Sequence, residues 1–421
     1  MKHPLKVIII GAGTGGLCLA HGLKSDGIEV ELFERDRSPA DHQQGYRLSI
    51  SATGGAALRD CLPAELFDEL VANAAEPSQG ITFVDHRLNR LLAIDFPHRG
   101  RGDPAAERPI ARAALRRILS EGLDDITRFG KTFSAFADDA NGSVIARFDD
   151  GSTAKGDVLI GADGAASRLR SQLLPHARRI ETDVVAISGK FALTDDNRAA
   201  IPPPVLRGPT PVLGPRGGFL FANAVEYAAN TGRAADPGRI ATDREAYVMW
   251  GFSAHRKLFG TVALDELGGA ALKRVVQAMM QDWHPHLRRL VEMADASTVS
   301  TFAVKTSVPI APWTTRNVTL LGDALHNMTP FRGTGANTAL RDAAALRTAL
   351  SACARGEQQL ISALARYERE MIAYGFDAVR TSLADMERFH VENGWSRFRV
   401  KTALRAADWI PPLKTRLTRG R

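Results

Sequence analysis

The feature that most constrains the fold is a glycine-rich turn that directly follows a short apolar run near the start of the chain. Residues 5–10 (LKVIII) are rich in β-branched side chains, which is typical of a strand buried on both faces of a parallel sheet. The turn GAGTGG at 11–16 leads into helical spacing up to Gly27, and EVELFER at 29–35 predicts a second strand. A strand, a glycine-rich turn, a helix and a strand within about 30 residues are the context that a dinucleotide-binding fingerprint requires.

The glycines of this GxGxxG pattern have separate roles. The first permits a tight turn, the second lets the backbone approach a pyrophosphate, and the third allows the helix to pack on the strand. The helix N-terminus also offers unpaired N–H groups to phosphates. The predicted phosphate-binding segment comprises Gly11, Gly13, Thr14, Gly15 and Gly16. Glu34, with the adjacent Arg35, ends the second strand, where a carboxylate can accept hydrogen bonds from a ribose. The pattern alone does not distinguish FAD from NAD.

Composition excludes several classes of protein. The chain has 421 residues, of which 44% are hydrophobic and 24% charged, as in an ordinary globular protein of two to three domains. Its three cysteines (Cys18, Cys61 and Cys353) suit neither a disulfide framework nor a metal site, so we expect a cytoplasmic protein that binds no metal. No apolar run approaches the roughly 18 to 20 residues that a membrane helix needs, so we expect no membrane span.

Basic charge is concentrated at the C-terminal end. The net charge of the chain is +7, and residues 391–421 carry eight basic side chains against Glu392 and Asp408, which is +6. We interpret this basic tail as a solvated end, with contact to an anionic surface or partner as the alternative. We do not predict nucleic-acid binding from it.

The remaining patterns predict an α/β protein whose nucleotide-binding domain is interrupted. Buried-strand character returns at 157–164 and 317–324, and helical spacing occurs at 110–123, at 336–353 and from 360 to 378. Between about 180 and 305, Pro-rich turns separate strand-like segments such as 218–225 and 246–254. The predicted boundaries are 1–178 and 309–355 for the nucleotide-binding domain, 179–308 for a β-rich substrate domain, and 356–421 for a C-terminal helical region with the basic tail.

Two later motifs resemble those of a known family. Gly161-Ala162-Asp163-Gly164, continuing to Ser167 and Arg170, resembles the GADGxxSxxR segment of the FAD-dependent aromatic hydroxylases, the class of 4-hydroxybenzoate, salicylate and tetracycline-modifying monooxygenases. That family's GDAxHxxxPxxGxGxN segment resembles the run formed by Gly322, Asp323, Ala324, His326, Pro330, Gly333, Gly335 and Asn337. The motifs keep the family's order and spacing from residue 7 to about 346. The resemblance implies an FAD-binding Rossmann-like domain of the GR2, or aromatic hydroxylase, type with an inserted, mainly β substrate domain and C-terminal helices.

The resemblance also implies FAD contacts for the third motif. Family precedent has Asp323 hydrogen-bonding the ribityl chain, with a helix or turn cap as the alternative. Glycines here let the backbone pass close to a flat ring, and the helix that begins near Ala336 directs its positive end at the reduced flavin. The predicted FAD ligands in this segment are Gly322, Asp323, Pro330, Gly333, Gly335, Ala336 and Asn337. We expect His326 to be structural rather than catalytic.

Three further residues have counterparts in the family. Asp163 supports the GADG turn there and spans contacts to FAD and to the nicotinamide cofactor. Arg112 matches an arginine at a helix start that contacts the FAD phosphates, although the nearby Arg116 and Arg117 leave this assignment open. Arg47 lies where relatives place a residue near the isoalloxazine ring, with a solvated strand charge as the alternative.

Strand alternation and the resemblance together predict a substrate pocket. Phe219, Phe221 and Asn223 share one strand face, and on the next strand Trp250 and its neighbours point opposite to Met249. In the family one such face lines the substrate cavity, whereas a hydrophobic core is the alternative for aromatic stripes. The predicted pocket residues are Phe219, Phe221, Asn223, Met249, Trp250, Pro330 and Arg332. Arg332 either attracts an anionic substrate or faces solvent.

By resemblance, the chain is an FAD-dependent monooxygenase. NADPH or NADH would reduce FAD, and O2 would form a flavin C4a-hydroperoxide that hydroxylates a hydrophobic aromatic or polycyclic substrate. We name no catalytic side chain, because a phenolic substrate needs no protein base. Two alternatives share the same motifs: a flavoprotein with a non-redox, cyclase-like role, and a binding protein that sequesters a ligand.

Overall fold

The computed structural model describes residues 5–38, 47–100, 103–227 and 245–410. The strands in these ranges are β1 (Lys6–Ile10), β2 (Glu29–Phe33), β3 (Arg47–Ile50), β4 (Gly80–Asp85), β5 (Arg90–Asp95), β6 (Arg108–Ala111), β7 (Thr127–Arg128), β8 (Phe133–Asp138), β9 (Val144–Phe148), β10 (Thr153–Gly156), β11 (Val158–Gly161), β12 (Arg179–Ala192), β13 (Thr210–Leu213), β14 (Phe219–Val225), β15 (Tyr247–His255), β16 (Ser300–Ser307) and β17 (Val318–Leu320). The α-helices are α1 (Thr14–Ser25), α2 (Ala52–Cys61), α3 (Ala64–Asn73), α4 (Arg112–Ser120), α5 (Arg168–Leu173), α6 (Asp195–Arg198), α7 (Pro203–Arg207), α8 (Gly269–Met279), α9 (Pro285–Glu292), α10 (Asp323–His326), α11 (Gly335–Ala354), α12 (Leu360–Phe389) and α13 (Gly394–Trp409).

The chain divides into two compact units, each made of several segments. The first unit comprises Met1–Ala74, Gly102–Ile180 and Lys305–Leu383, and the second comprises Ala75–Arg101, Glu181–Val304 and Ala384–Arg421. The segment 75–101 belongs to the second unit because β4 pairs in parallel with β13, with Val84 opposite Val212. Sequence patterns did not indicate this pairing, and the domain boundaries inferred from them remain a prediction.

A five-stranded sheet in the order β17-β11-β1-β2-β7 forms the centre of the first unit. Its strand pairs are parallel, with Ile8 opposite both Leu159 and Glu31. The apolar side chains of β1 are buried because strands lie on both sides of it and helices such as α1 pack nearby. This is the strand, turn, helix and strand arrangement that the first 35 residues predicted.

A seven-stranded sheet in the order β16-β12-β15-β14-β13-β4-β5 dominates the second unit. One face packs into an apolar core that includes Leu220, Trp250 and Phe252 together with side chains of α8 and α9. The predicted β-rich character is therefore present, but the two helices within 269–292 were not predicted. In the described ranges no helix has the length and apolar character needed to cross a bilayer.

Helix α12 anchors the edge strand β17 of the first unit through two adjacent side chains. The Tyr367 hydroxyl donates to the Leu320 carbonyl oxygen at 2.9 Å. The buried Glu368 carboxylate accepts from the hydroxyls of Thr319 at 2.8 Å and Thr315 at 2.5 Å. Burial raises the pKa of Glu368 to about 7, although these hydrogen bonds oppose the rise.

We expect Glu368 to make stability depend on pH between about 4.5 and 7. Because its pKa is raised in the folded state, its stabilising contribution is complete below pH 4.5 and is lost as pH rises through about 7. The loss corresponds to about 3 kcal/mol. Denaturant unfolding of the wild type and of Glu368→Gln across this range checks the prediction, since the variant should lose that part of the pH slope. Superimposable slopes would contradict it.

Candidate cofactor site

The first and third glycines of the GxGxxG turn are required by packing. Gly11 has φ +109°, and a Cβ there would lie 2.4 Å from the carbonyl oxygen of Ala162. A Cβ on Gly16 would lie 2.1 Å from the Gly11 carbonyl oxygen. The turn therefore closes tightly against the start of the GADG motif, and α1 sits close on β1, as expected for this fingerprint.

Gly13 differs because it faces open space. Its φ is −79°, and a Cβ there would meet no atom within 4 Å. Helix α1 begins at the next residue, Thr14, with no side-chain cap on its N-terminus. Free N–H groups of the first helical turn therefore border a space large enough for a ligand atom to approach.

Gly15 connects the first motif to the third. A Cβ on Gly15 would lie 2.6 Å from Cδ1 of Leu321, which directly precedes Gly322. Its missing side chain thus serves helix packing, and contact of its N–H with a phosphate remains a prediction.

The Glu34 side chain stabilises the same turn. Its Oε2 accepts from the Ala12 N–H at 2.7 Å, and its Oε1 accepts from the Asp36 N–H at 3.0 Å. Each carboxylate oxygen retains a second lone pair, so these bonds leave capacity for ribose hydroxyls. The neighbouring Arg35 is exposed.

The structure separates the three arginines that the sequence left unresolved. Arg116 binds Asp36 through both terminal nitrogens at 3.1 Å, and Arg117 binds Glu69 at 3.0 Å and Glu121 at 2.7 Å. Arg112, the first residue of α4, is exposed and has no hydrogen bond or ion pair within the described ranges. Arg112 is therefore the member of this group that is available to an anionic ligand.

We expect Arg112→Ala to weaken FAD affinity roughly tenfold, because one charge-assisted hydrogen bond to a phosphate would be lost. Fluorescence titration of apoprotein with FAD measures this directly. Arg117→Ala is the matched control on the same helix, and it should leave FAD affinity unchanged. If Arg112→Ala and Arg117→Ala weakened FAD affinity equally, Arg112 would have no special role in FAD binding.

In the GADG motif, Asp163 bonds within its own segment, whereas Arg170 reaches the third motif. Oδ2 of Asp163 accepts from the Leu169 N–H at 3.4 Å, whereas its buried Oδ1 has no partner among the described residues. Burial raises the pKa of this carboxyl, against hydrogen bonds that include one from Ser167. The buried Arg170 donates to the carbonyl oxygens of Ala165 at 3.2 Å and Ala324 at 2.9 Å. The second and third motifs are therefore bonded directly.

Asp323 begins the short helix α10 and is exposed. Its carboxylate makes no hydrogen bond to the described chain, and α10 has no side-chain cap, so the alternative role as a cap has no support. Its Oδ1 would lie 3.9 Å from a Cβ placed on Gly335, which begins α11. The acid and the N-terminus of α11 are thus close together.

Sequence reasoning missed Asp342, which fixes this turn from inside α11. Oδ2 of the fully buried Asp342 accepts from the Gly322 N–H at 2.7 Å and lies 2.7 Å from Nε2 of His326. Oδ1 accepts from the Tyr374 hydroxyl at 2.5 Å. Burial opposes protonation of His326, but the charge and hydrogen bond of Asp342, together with the charge of Asp323, raise the pKa of the imidazole. His326 is therefore structural, as the motif analysis favoured.

The side chain of Asn337 is committed to protein contacts. Its Nδ2 donates to the Ser49 carbonyl oxygen at 2.8 Å, and its Oδ1 accepts from the Ser51 N–H at 2.8 Å. Asn337 thus fixes β3, the strand that begins with the partly buried Arg47, to α11. A direct FAD contact by this amide remains a prediction.

Of the other predicted residues of the third motif, Pro330, Arg332 and Gly333 lie on the connection between α10 and α11, and Ala336 is the second residue of α11. Pro330 and Gly333 are exposed, whereas Arg332 and Ala336 are partly buried. Gly333 has φ +63°, which favours glycine, and a Cβ there would meet nothing within 4 Å.

In the second unit, the strand pairing divides the predicted pocket residues between two faces. Asn223 lies opposite Met249 and Phe221 lies opposite Gly251, so Phe221, Asn223 and Met249 share one face. Trp250 does not belong with them: it points to the other face and lies fully buried in the apolar core. This corrects its assignment to the pocket.

Phe219 and Asn223, which were both predicted to line the pocket, have different surroundings in that unit. Phe219 is buried against Phe389, with ring centroids 5.0 Å apart and nearly parallel planes. Asn223 is fully buried, yet neither its Nδ2 nor its Oδ1 has a partner among the described residues. A buried amide without partners is costly, so this side chain suits a polar ligand group or a water.

The first unit fits an FAD cofactor. The open space at Gly13, the uncapped α1, the unpaired Arg112 and the exposed Asp323 are the groups that a pyrophosphate and a polyhydroxyl chain require. In the described part of the chain, no three His, Cys, Asp or Glu side chains are placed to hold a metal ion. The parallel sheet and glycine turn thus define a dinucleotide-binding protein.

Comparisons with known proteins specify the dinucleotide. Residues 9–54 match a family described as an NAD(P)-binding Rossmann-like domain, and residues 230–382 match one described as an FAD binding domain. The FAD-dependent monooxygenase dbaB of Emericella nidulans is 30% identical over 358 residues, which cover 81% of this chain and 86% of that protein. A solved structure from Photorhabdus luminescens, described as an FAD-containing monooxygenase, is 33% identical with a TM-score of 0.82 and covers 93% of this chain and 100% of that one.

The chain therefore belongs to the FAD-dependent monooxygenase family, which confirms the resemblance, the fold class and the FAD cofactor inferred from the motifs. The dual O-methyltransferase/FAD-dependent monooxygenase elcB of Phaeosphaeria nodorum is 34% identical over 391 residues, which are 85% of this chain and 41% of that protein. The chain spans between 41% and 44% of the length of this relative and of two similar dual proteins.

Proposed function

We propose that this protein is an FAD-dependent monooxygenase that uses NADPH or NADH and O2 to hydroxylate an aromatic or polycyclic small molecule. The observation that carries the proposal is the convergence of the three motifs in one unit. Gly11 abuts Ala162, Gly15 abuts Leu321, and Arg170 bonds the Ala324 carbonyl oxygen. The shared description of the relatives favours this redox role over a cyclase-like flavoprotein or a ligand-sequestering protein.

In this proposal the residues of the first unit bind and orient FAD. The α1 N-terminus and Arg112 would hold the pyrophosphate, Glu34 would accept from the adenosine ribose, and Asp323 would accept from the ribityl hydroxyls. The positive end of α11 would favour negative charge on a flavin ring bound beside it. When bound, FAD supplies hydride acceptance and oxygen transfer, so the protein contributes positioning and exclusion of water.

For the substrate, we propose recognition by the face of the second unit's sheet that carries Phe221, Asn223 and Met249. Phe221 and Met249 offer apolar contact to a flat ring, and both are partly buried. The unpartnered amide of Asn223 would pair with a neighbouring carbonyl or hydroxyl group of that ring. Pro330 and Arg332, which belong to the first unit, remain predictions as substrate contacts.

The experiment that tests this function is anaerobic addition of NADPH, and separately NADH, to flavin-loaded protein while the yellow absorption band is followed. A panel of phenolic polycycles is included, because many members of this family reduce quickly only when substrate is bound. Bleaching that one class of compound accelerates, followed by a product heavier by one oxygen atom after air is admitted, is the expected result.

The chemical reductant dithionite serves as the control. If dithionite bleaches the flavin while no compound permits bleaching by either nicotinamide cofactor, the monooxygenase proposal fails and the non-redox roles take its place. We also propose a cytoplasmic location, which the three free cysteines support.

A further inference from the structure

Helix α13 is held to the second unit by one of its faces. Val400, Leu404 and Ala407 pack with apolar side chains of β4 and β5. At its beginning, Arg397 is buried and donates to the Gly218 carbonyl oxygen at 2.8 Å. Near its end, the Asp408 carboxylate accepts from the Ala93 N–H at 3.0 Å. The apolar face through which α13 packs on the second unit is therefore already buried.

The opposite face of α13 carries a second set of large apolar side chains, which remain mostly exposed in the described part of the chain. Trp395 is 69% exposed, Phe398 is 56% exposed and Trp409 is 86% exposed. The spacings of three and fourteen residues from Trp395 place all three on one side of the helix. The rings of Trp395 and Phe398 stack with centroids 5.8 Å apart. The other exposed large apolar side chains of the described chain, apart from the adjacent Ile410, are dispersed: Ile180, Val262, Phe302 and Ile361.

Positive charge accompanies these side chains. Arg399 is exposed one turn after Trp395, and it has no hydrogen bond or ion pair in the described residues. Arg405 is also exposed and only approaches Asp85, at 3.9 Å. The sequence then continues, beyond the described residues, with Lys414, Arg416, Arg419 and Arg421 and no acidic residue.

We propose that the outer face of α13, with the exposed Arg399 and Arg405, docks on an anionic lipid surface, with the helix lying in the plane of the interface. Tryptophan and phenylalanine flanked by arginine are the composition of helices that bind at the headgroup level. Each cationic side chain near such a surface adds attraction. A second copy is a poorer occupant, because a symmetric contact would bring like charges together. The inference does not rest on the proposed enzymatic function.

Flotation of the flavin-loaded full chain with lipid vesicles tests the proposal. The chain should float with phosphatidylcholine vesicles that contain phosphatidylglycerol, and it should remain at the bottom with phosphatidylcholine alone. Combined Trp395→Ser, Phe398→Ser and Trp409→Ser should lower partitioning at least roughly 100-fold. Arg399→Glu alone should lower it roughly tenfold, since reversal removes one attractive charge and adds a repulsive one.

Matched controls alter exposed residues on α12. Ile361→Ser removes a comparably exposed apolar side chain, and Arg369→Glu reverses an exposed charge with no partner in the described chain. Both should float like the wild type. Flavin content and circular dichroism verify folding. If the triple variant misfolds, the flotation of Arg399→Glu decides whether the proposal holds. Equal flotation with neutral vesicles, no flotation with anionic ones, or loss of flotation in the controls overturns the proposal. It is also overturned if the triple variant turns a dimer into a monomer in sedimentation analysis, or if the chain captures DNA but not vesicles.

Discussion

Gly13→Val is expected to give a folded but colourless protein. A Cβ at this position meets no protein atom within 4 Å, and the φ of −79° suits any residue, so the apoprotein should be stable. The branched side chain would instead fill the space through which a pyrophosphate approaches the α1 N-terminus. We expect FAD affinity to fall at least about 100-fold, measured by flavin content after purification and by FAD titration.

Gly16→Val provides the contrast within the same motif. Its Cβ would lie 2.1 Å from the Gly11 carbonyl oxygen, so this variant should lose both its flavin and its folded state. Melting curves of the two apoproteins separate the effects. A Gly13→Val protein that retains one FAD per chain would contradict the assignment of FAD to this turn.

Asp342→Ala should cause a large loss of stability without requiring any change in backbone conformation. The substitution leaves the buried Gly322 N–H and His326 imidazole, and the partly buried Tyr374 hydroxyl, without their shared acceptor. Breaking a buried charge pair of this kind costs about 3 to 5 kcal/mol. The melting temperature should therefore fall by roughly 10 °C.

Asp377→Ala is the control for that measurement. Asp377 lies on α12 and is mostly exposed, and its ion pair with Arg380 is 3.7 Å long. Exposed pairs contribute little, so its removal should change stability by less than about 1 kcal/mol. Equal melting temperatures for the two variants would show that the Asp342 network does not stabilise the third motif.

Part of the cofactor site could be predicted from the sequence, because the residues that determine its conformation are close together in the chain. The tight turn at Gly11 and the packing of Gly16 follow from the spacing of glycines between a strand and a helix. Gly15 is different, since its neighbour Leu321 lies about 300 residues further along the chain. Asp342 was missed for the same reason: within its helix it looks like an ordinary solvated acid, and only the tertiary fold buries it.

Strand alternation predicted that side chains of β14 and β15 divide between two faces, but it did not say which face becomes core. Helices α8 and α9 decide this by covering the side that carries Trp250. Strand alternation also did not predict that Asn223 would be fully buried with an amide that has no partner among the described residues. The placement of β4 beside β13 depends on pairing between segments over 100 residues apart, which no local pattern encodes.

The split construction of the first unit has a consequence for biosynthesis. The helix that follows the glycine turn needs Leu321 beside Gly15, and the Gly322 turn needs Asp342, so neither is complete until that part of the chain has been made. At 5 to 20 residues per second, a ribosome takes roughly 15 to 65 s to add the intervening residues. During that time the buried strand β11 lacks its parallel neighbour β17. The nascent chain should therefore depend on chaperones until late in translation, and FAD should be able to bind only near its end.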